Sequence, residues 1–185
     1  KLISELWLAL VAALFMIYAL IAIPLRSYSQ PLLIMSVIPF GAIGAIAGHV
    51  VMGKAISMFS LFGLFALAGV VVNDSLIMVD FINKARAKGV AVRQAVIESG
   101  TQRFRAIILT SFTTAAGLLP ILFETSSQAQ YVIPTVISIS FGIVFATVIT
   151  LLLVPSLYML QLDAVALVHR IKDWMMGYPS SAQSE

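Results

Sequence analysis

The stretch Leu67–Lys84, which reads LAGVVVNDSLIMVDFINK, decides the fold of this chain. It opens as an uncharged apolar run and then places Asn73, Asp74 and Ser75 inside that run. A second carboxylate, Asp80, follows near its end. A run of this length and hydropathy predicts a membrane-spanning helix. A carboxylate near the middle of such a helix is costly in lipid, and acids in that position are functional by default.

The composition of the whole chain indicates an integral membrane protein. Of its 185 residues 61% are hydrophobic and 10% are charged, and the mean hydropathy is +1.04. A soluble domain carries about 25% charged residues. The chain has no cysteine, which excludes disulfides, thiolate catalysis and cysteine-ligated metals. It begins with Lys1, and we expect it to be a piece of a larger polypeptide.

Five apolar runs predict an all-α, polytopic transmembrane helix bundle. The expected spans are residues 2–25, 31–52, 56–83, 103–123 and 131–160. A short amphipathic linker helix is expected at 90–100, after a stop at Gly89 and before an end at Gly100. Pro39 is expected to kink the second span, and Pro134 and Pro155 to interrupt the fifth. Residues 162–185 are predicted to form a surface helix and a disordered tail.

The basic residues fall mainly on one side of the predicted bundle. Because successive loops alternate between the two sides, nine lysines and arginines share a side: Arg26, Lys84, Arg86, Lys88, Arg93, Arg103, Arg105, Arg170 and Lys172. Two, Lys1 and Lys54, lie on the other side. This excess predicts that the side with the nine, here called the basic side, is cytoplasmic.

Small residues recur along one face of the second predicted span. Gly41, Gly44 and Gly48 follow helical spacing. Side chains this small permit close approach of a neighbouring backbone, so we expect this face to pack against another helix.

Asp74 is expected close to the middle of the bilayer. It lies about nine residues from the basic end of its helix, or roughly 14 Å at the helical rise. No lysine or arginine of this chain reaches that depth, so its partner must be a hydroxyl, a water or a cation from elsewhere. Burial without a partner favours the protonated form. This suits a proton relay; a hydrogen-bonded acid that ties helices together is the alternative. Asp80 is instead expected to form an interfacial ion pair with Lys84, four residues later.

The fourth span carries hydroxyl groups that are candidates for a shared polar layer. Because it runs antiparallel to the third span, Thr113 and Thr114 are expected at about the depth of Asn73 and Asp74. Hydroxyls in membrane helices commonly bond to neighbouring backbone, and that packing role stays open here.

Several segments together resemble the resistance-nodulation-division (RND) family of efflux pumps, in its hydrophobe/amphiphile branch. They are VIPFGAIGAIAG at 37–48, GVVVNDSLIMVDFINKARAKG at 69–89, AVIESGTQRFRAIILTSFTTAAGLLPILF at 95–123 and VPSLYML at 154–160. Their order and spacing are similar to those of the eighth to twelfth membrane helices of such a pump. The resemblance implies a homotrimer in the inner membrane of a Gram-negative bacterium. It also implies a periplasmic adaptor, an outer-membrane channel and protons as the coupling ion, with no cofactor and no nucleic acid.

The resemblance also implies roles for individual residues. The family's relay lysine falls on Asn73, a polar residue of the eleventh helix on Thr110, and an arginine ahead of it on Arg103. Asn73 is a departure, because asparagine cannot supply the positive charge, and Asp74 beside it is an extra acid. Either the proton relay runs differently, through Asp74, or this member couples proton movement to export less conventionally. The candidate relay residues are Asn73, Asp74, Arg103, Thr110, Thr113 and Thr114. An interfacial anchor is the expected role of Arg103, and a proton exit is its alternative.

Two other functions stay open. A protein-export or lipid-export relative would share the same helical bundle. An intramembrane protease is less favoured, because an aspartyl type needs two acids at matching depth and Asp74 is the single midplane acid. A serine type needs a Ser–His pair, whereas His49 and His169 are expected at the membrane interfaces.

Overall fold

Apolar runs of this length fold into helices because every backbone polar group in lipid must be satisfied within the segment. The computed structural model describes residues 2–175, and the side chains of 4–5 and 7–168. Its helices are α1 (Leu2–Leu25), α2 (Gln30–Met35), α3 (Ile38–Met52), α4 (Met58–Ala87), α5 (Val92–Leu122) and α6 (Ser127–Met175). Within residues 2–175, five stretches are long and apolar enough to cross a membrane, α2 and α3 forming one of them together. The predicted all-α, multi-pass bundle is confirmed.

Helices α3 and α4 both end at a glycine in the left-handed region. Gly53 has φ 62° and Gly89 has φ 85°. The Lys54 N–H donates to the His49 carbonyl at 3.0 Å, and the Val90 N–H reaches back five residues in the same way at 3.2 Å. This pattern satisfies the last carbonyls of a helix and needs a residue without a Cβ at the turn.

The second span is broken in the structure. A turn at Ser36 and Val37 separates α2 from α3. Pro39 has no N–H to donate to the carbonyl four residues earlier, and its ring clashes with that carbonyl. The kink expected from Pro39 therefore takes the form of a break just before it.

Two predicted divisions do not occur. Residues 90–100 form no separate linker helix, because α5 continues through Gly100 and Thr101. The Thr101 hydroxyl donates to the carbonyls of the preceding turn, and one glycine costs a helix only about 1 kcal/mol. Likewise Pro134 and Pro155 lie inside a continuous α6, because packed neighbouring helices compensate for single lost hydrogen bonds. The surface helix expected from residue 162 is the continuation of α6 to Met175, and residues 176–185 lie outside the described part.

Helix α6 forms the centre of the bundle. It packs against α3, α4 and α5, whereas α1 lies at the edge against α2 and α4. Gly63 of α4 allows a close approach to the backbone of α6, because a Cβ there would lie 2.6 Å from the Thr135 carbonyl oxygen. The Thr135 hydroxyl donates to the Phe59 carbonyl at 2.7 Å, which joins the same two helices. This packing holds α4 by its end opposite the basic side.

Candidate functional site

Asp74 lies on α4 with its side chain buried in the bundle. The residue is 8% exposed. Within the part of the chain that the structure describes, its carboxyl group forms no hydrogen bond and no ion pair. The hydroxyl of Ser75 donates to the Val71 carbonyl at 2.9 Å and is thus committed to its own helix. A carboxyl group in such surroundings favours its neutral, protonated form.

The contact of Arg103 on α5 with Phe81 on α4 relates the depths of residues on these two helices. The guanidinium carbon of Arg103 lies 5.3 Å from the ring centroid of Phe81. Four residues connect α4 to α5, so these two packed helices run in opposite directions. Asp74 lies seven residues before Phe81, and Thr110 lies seven residues after Arg103. Seven residues are about two helical turns, so this contact relates the depth of Asp74 to that of Thr110 to within the length of an arginine side chain.

The three candidate threonines form no hydrogen bond with Asp74 and donate to carbonyls of their own helix instead. Thr110 donates to the Ile107 carbonyl at 2.9 Å, Thr113 to the Leu109 carbonyl at 2.8 Å and Thr114 to the Thr110 carbonyl at 2.8 Å. All three are exposed on the surface of this chain. The expectation that Thr113 and Thr114 lie at about the depth of Asn73 and Asp74 stays a prediction.

Asn73 is also exposed, on the outer face of α4. It lies beside Asp74 in sequence but about 100° away around the helix, so the two side chains face different neighbours. Asn73 and Thr110 are therefore polar groups on a surface that residues 2–175, as described, do not cover.

A buried hydroxyl pair was missed by the sequence reading. The oxygens of Ser111 on α5 and Thr147 on α6 lie 2.6 Å apart. Ser111 is 4% exposed and Thr147 is 6% exposed. Each lies four residues after a buried isoleucine, Ile107 or Ile143, and this spacing is the signal that could have placed them on the inner faces.

Arg103 lies half-buried near the basic end of α5. Its guanidinium group lies over the Phe81 ring, a cation–π contact of about 1 kcal/mol. The Nε atom is shielded from solvent and has no hydrogen-bond partner among the described residues. The anchor and proton-exit roles of Arg103 both stay predictions.

The three glycines of α3 lie where other helices approach closely. A Cβ on Gly44 would lie 2.5 Å from the Cβ of Phe145, and one on Gly48 would lie 2.5 Å from the Cβ of Phe141. A Cβ on Gly41 would meet the Leu67 side chain of α4 at 3.1 Å. The face of small residues is thus the surface by which α3 packs on α6 and α4.

A polar network joins α2, α4 and α6 near the basic side. Gln30 and Asn83 exchange two amide hydrogen bonds, of 3.1 and 2.8 Å. The Tyr158 hydroxyl donates to Asn83 Oδ1 at 2.7 Å and accepts from Arg86 Nη1 at 3.0 Å. Tyr158 is 1% exposed. We call these four residues the amide clamp; no local sequence pattern predicts it, because its members lie up to 128 positions apart.

Replacing Asn83 with leucine should lower the free energy of unfolding by about 1.5 kcal/mol, because Gln30 and Tyr158 both lose their partner. Thermal unfolding of the intact protein in detergent measures the effect. Gln102→Leu, an exposed amide on α5, is the matched control and should change stability little. Equal effects of the two substitutions would show that the amide clamp contributes nothing specific.

His49 is buried and not interfacial. It is 3% exposed, its Nδ1 donates to the Ala45 carbonyl at 2.9 Å, and its Nε2 lies 2.8 Å from Ser60 Oγ of α4. Since Nδ1 carries the proton, the neutral ring accepts from the Ser60 hydroxyl. Ser60 Oγ also accepts from the Ser57 N–H at 3.0 Å.

A Ser–His pair is what a serine protease would use, but this one is closed to a substrate. Ser60 is 1% exposed, and its oxygen is occupied by both neighbours. Nucleophilic catalysis requires that the oxygen reach the scissile carbonyl. The pair therefore holds α3 against the start of α4.

Comparison with known proteins yields matches along nearly the whole chain. A model of the AcrB/AcrD/AcrF family matches residues 2–161. The chain is 30% identical over 156 residues to the swarming motility protein SwrC of Bacillus subtilis, and 33% identical over 157 residues to the multidrug resistance protein MdtC of Erwinia tasmaniensis. Each alignment covers 84% of this chain and 15% of the relative.

A solved structure matches as well. The crystal structure of a heavy metal efflux pump superimposes with a TM-score of 0.72 at 26% identity, over 85% of this chain and 15% of that one. The chain thus spans about 15% of the length of the proteins it matches.

Proposed function

The chain belongs to the AcrB/AcrD/AcrF family, and from that premise we propose that it is the C-terminal membrane half of a proton-driven RND efflux pump. In this proposal the chain does not bind the exported compound in the periplasm. It carries protons across the membrane, and the resulting movement of its helices drives the parts of the pump that expel the compound. The resemblances to MdtC and to a heavy metal efflux pump support efflux as the activity.

The observation that carries the proposal is the carboxyl group of Asp74, which is buried and has no partner among the described residues. An unpaired acid inside a membrane bundle is costly, and proton relays are a recognised use of such groups. Asn73 and Thr110 leave polar groups on the surface beside it. Because exposed polar groups are unfavourable in lipid, we infer that the remainder of the pump covers this surface and completes the relay.

Protonation of Asp74 would change the packing of α4. As a carboxylate Asp74 needs a cation or several hydrogen-bond donors, and as a carboxylic acid it needs one acceptor. Helix α4 is joined to α6 at both ends, through Gly63 and Thr135 on one side and the amide clamp on the other. Proton uptake and release at the centre of α4 would therefore be transmitted to α6.

The proposal includes a cellular setting. The basic side faces the cytoplasm of a bacterium, and the chain lies in the inner membrane as part of a longer polypeptide. The pump is a homotrimer and works with a periplasmic adaptor and an outer-membrane channel. The multi-pass topology is the part of this setting that the helices establish directly.

The coupling ion can be tested with the intact pump in proteoliposomes loaded with a pH-sensitive dye. Adding transported substrate should drive a proton flux that a protonophore abolishes and that is unchanged when sodium is replaced by choline. A flux of substrate that follows the sodium gradient and ignores the pH gradient would refute proton coupling and leave the family assignment intact.

A further inference from the structure

A cavity of about 470 Å³ lies between α3, α5 and α6, apart from the proton-relay candidates. Met52 and Phe123 line it where α3 and α5 end, so it lies in the half of the bundle away from the basic side. The cavity is partly open at the surface of the chain, and the three helices around it are all apolar enough to span a membrane. Its opening therefore faces the bilayer or another part of the protein.

The lining of the cavity is apolar with one exception. Phe123, Phe141 and Phe145 supply aromatic rings, and Met52 supplies a flexible thioether. Among the side chains that the structure describes, none that is charged lines it. Rings and methionine adapt to apolar molecules of differing shape. A charged ligand would lose its hydration without gaining a partner, so the lining excludes ionised ligands.

Ser140 is the exception. The residue is 5% exposed and lines the cavity, and its hydroxyl has no hydrogen-bond partner among the described residues. Serines in membrane helices commonly bond to a carbonyl of the preceding turn, as Ser75 and Ser156 do here. An unsatisfied buried hydroxyl is destabilising, and a ligand that offers a hydrogen-bonding group would remove that cost.

We propose that this cavity binds an uncharged, lipophilic small molecule that enters from the bilayer and hydrogen-bonds to Ser140. The volume is within the range of about 300–1,000 Å³ that is typical of small-molecule sites. A lipid acyl chain would fill the space but would leave the Ser140 hydroxyl unpaired, so a compact molecule with one polar group fits better. The proposal rests on the proposed efflux function only in that such a ligand would be cargo taken up from the membrane.

Benzophenone is a suitable probe because it has two apolar rings, one carbonyl acceptor and intrinsic photoreactivity. The intact pump in lipid nanodiscs, without any ion gradient, is illuminated with increasing benzophenone and digested for mass spectrometry. We expect saturable labelling of Met52 and the cavity residues around it. Ala47→Phe, which adds a ring in the cavity, should reduce this labelling about tenfold because the space is filled. Ala66→Phe, on the exposed face of α4 and outside the cavity, should leave it unchanged.

The role of Ser140 needs a second variant. Ser140→Ala removes an unpaired hydroxyl, so the fold should not suffer, while the affinity for benzophenone should fall roughly five-fold. Diphenylmethane, which lacks the carbonyl, should compete with benzophenone equally well in the wild-type pump and in Ser140→Ala. Equal benzophenone affinity in these two proteins would show that Ser140 does not contact the ligand and would overturn that part of the proposal.

Three other results would overturn the site itself. Labelling that does not saturate, or that spreads along all lipid-facing helices, would indicate simple partitioning. Absence of label at Met52 would indicate that the remainder of the pump fills the cavity. Labelling that appears only after lipid removal and is lost on adding phospholipid would indicate an acyl chain. Because no gradient is applied, Asp74→Asn should be labelled like wild type, which separates this test from that of proton coupling.

Discussion

Replacing Asp74 with asparagine in the intact pump should reduce efflux by about 100-fold, the scale of losing one positioned proton-transfer group. Asparagine has the size and shape of aspartate but cannot take up or release a proton. The protein should reach the membrane in normal amount, because the carboxyl group forms no bond within the described chain that the substitution would break. Dye efflux from cells, normalised to the amount of pump in the membrane, measures the effect.

Asp80→Asn is the matched control on the same helix. Asp80 is partly exposed and is paired with Lys84 at 2.7 Å, in the i,i+4 arrangement that the sequence predicted. Exposed ion pairs of this kind contribute little, so its efflux should stay near wild type. Full efflux by the Asp74→Asn pump would remove Asp74 from the proton path and leave it a packing role. Equal loss in both variants would indicate a general sensitivity of α4 to lost charge.

Replacing Gly63 with alanine should lower the free energy of unfolding by about 3 kcal/mol. The new Cβ would lie 2.6 Å from the Thr135 carbonyl oxygen and 2.7 Å from the Ser138 Cβ. Because the first of these atoms is backbone, α4 and α6 must separate to admit the methyl group. Thermal unfolding of the intact pump in detergent, together with its yield from the membrane, measures the loss.

Gly69→Ala provides the comparison, since nothing in the described part of the chain lies within 4 Å of a Cβ there. In that position alanine should be neutral or stabilise α4 by up to about 1 kcal/mol through its higher helix propensity. If both substitutions left the unfolding temperature unchanged, this would show that α4 does not pack closely on α6 at Gly63.

The helices themselves were predictable because a chain that crosses lipid must satisfy its backbone hydrogen bonds internally, which leaves few possible conformations. The apolar runs, the stop at Gly89 and the burial of Asp74 follow from hydropathy, glycine conformation and the cost of exposing an acid. The continuity of α5 and α6 was not predictable in the same way. Gly100, Pro134 and Pro155 are local signals for a break, and tertiary packing overrides each of them.

The contacts of the candidate site depend on how each helix is rotated about its axis and on how its side chains are oriented, which a single sequence does not specify. Thr113 and Thr114 were placed at the depth of Asp74 by counting from the membrane edge, whereas the carbonyls to which their hydroxyls donate depend on side-chain rotation. His49 was expected at the interface from its position near a turn. Its burial depends on the rotation of α3 and on the hydroxyl that α4 presents to it.

The amide clamp limits how α4 can move. Four hydrogen bonds hold the helix to α2 and α6 close to the basic side. Sliding of α4 along its own axis would break all four at once, whereas tilting about that anchored point preserves them. Tilting would instead strain the contact of Gly63 with Thr135 at the far end of α4, so we expect a change of charge at Asp74 to move α4 and α6 together as one unit.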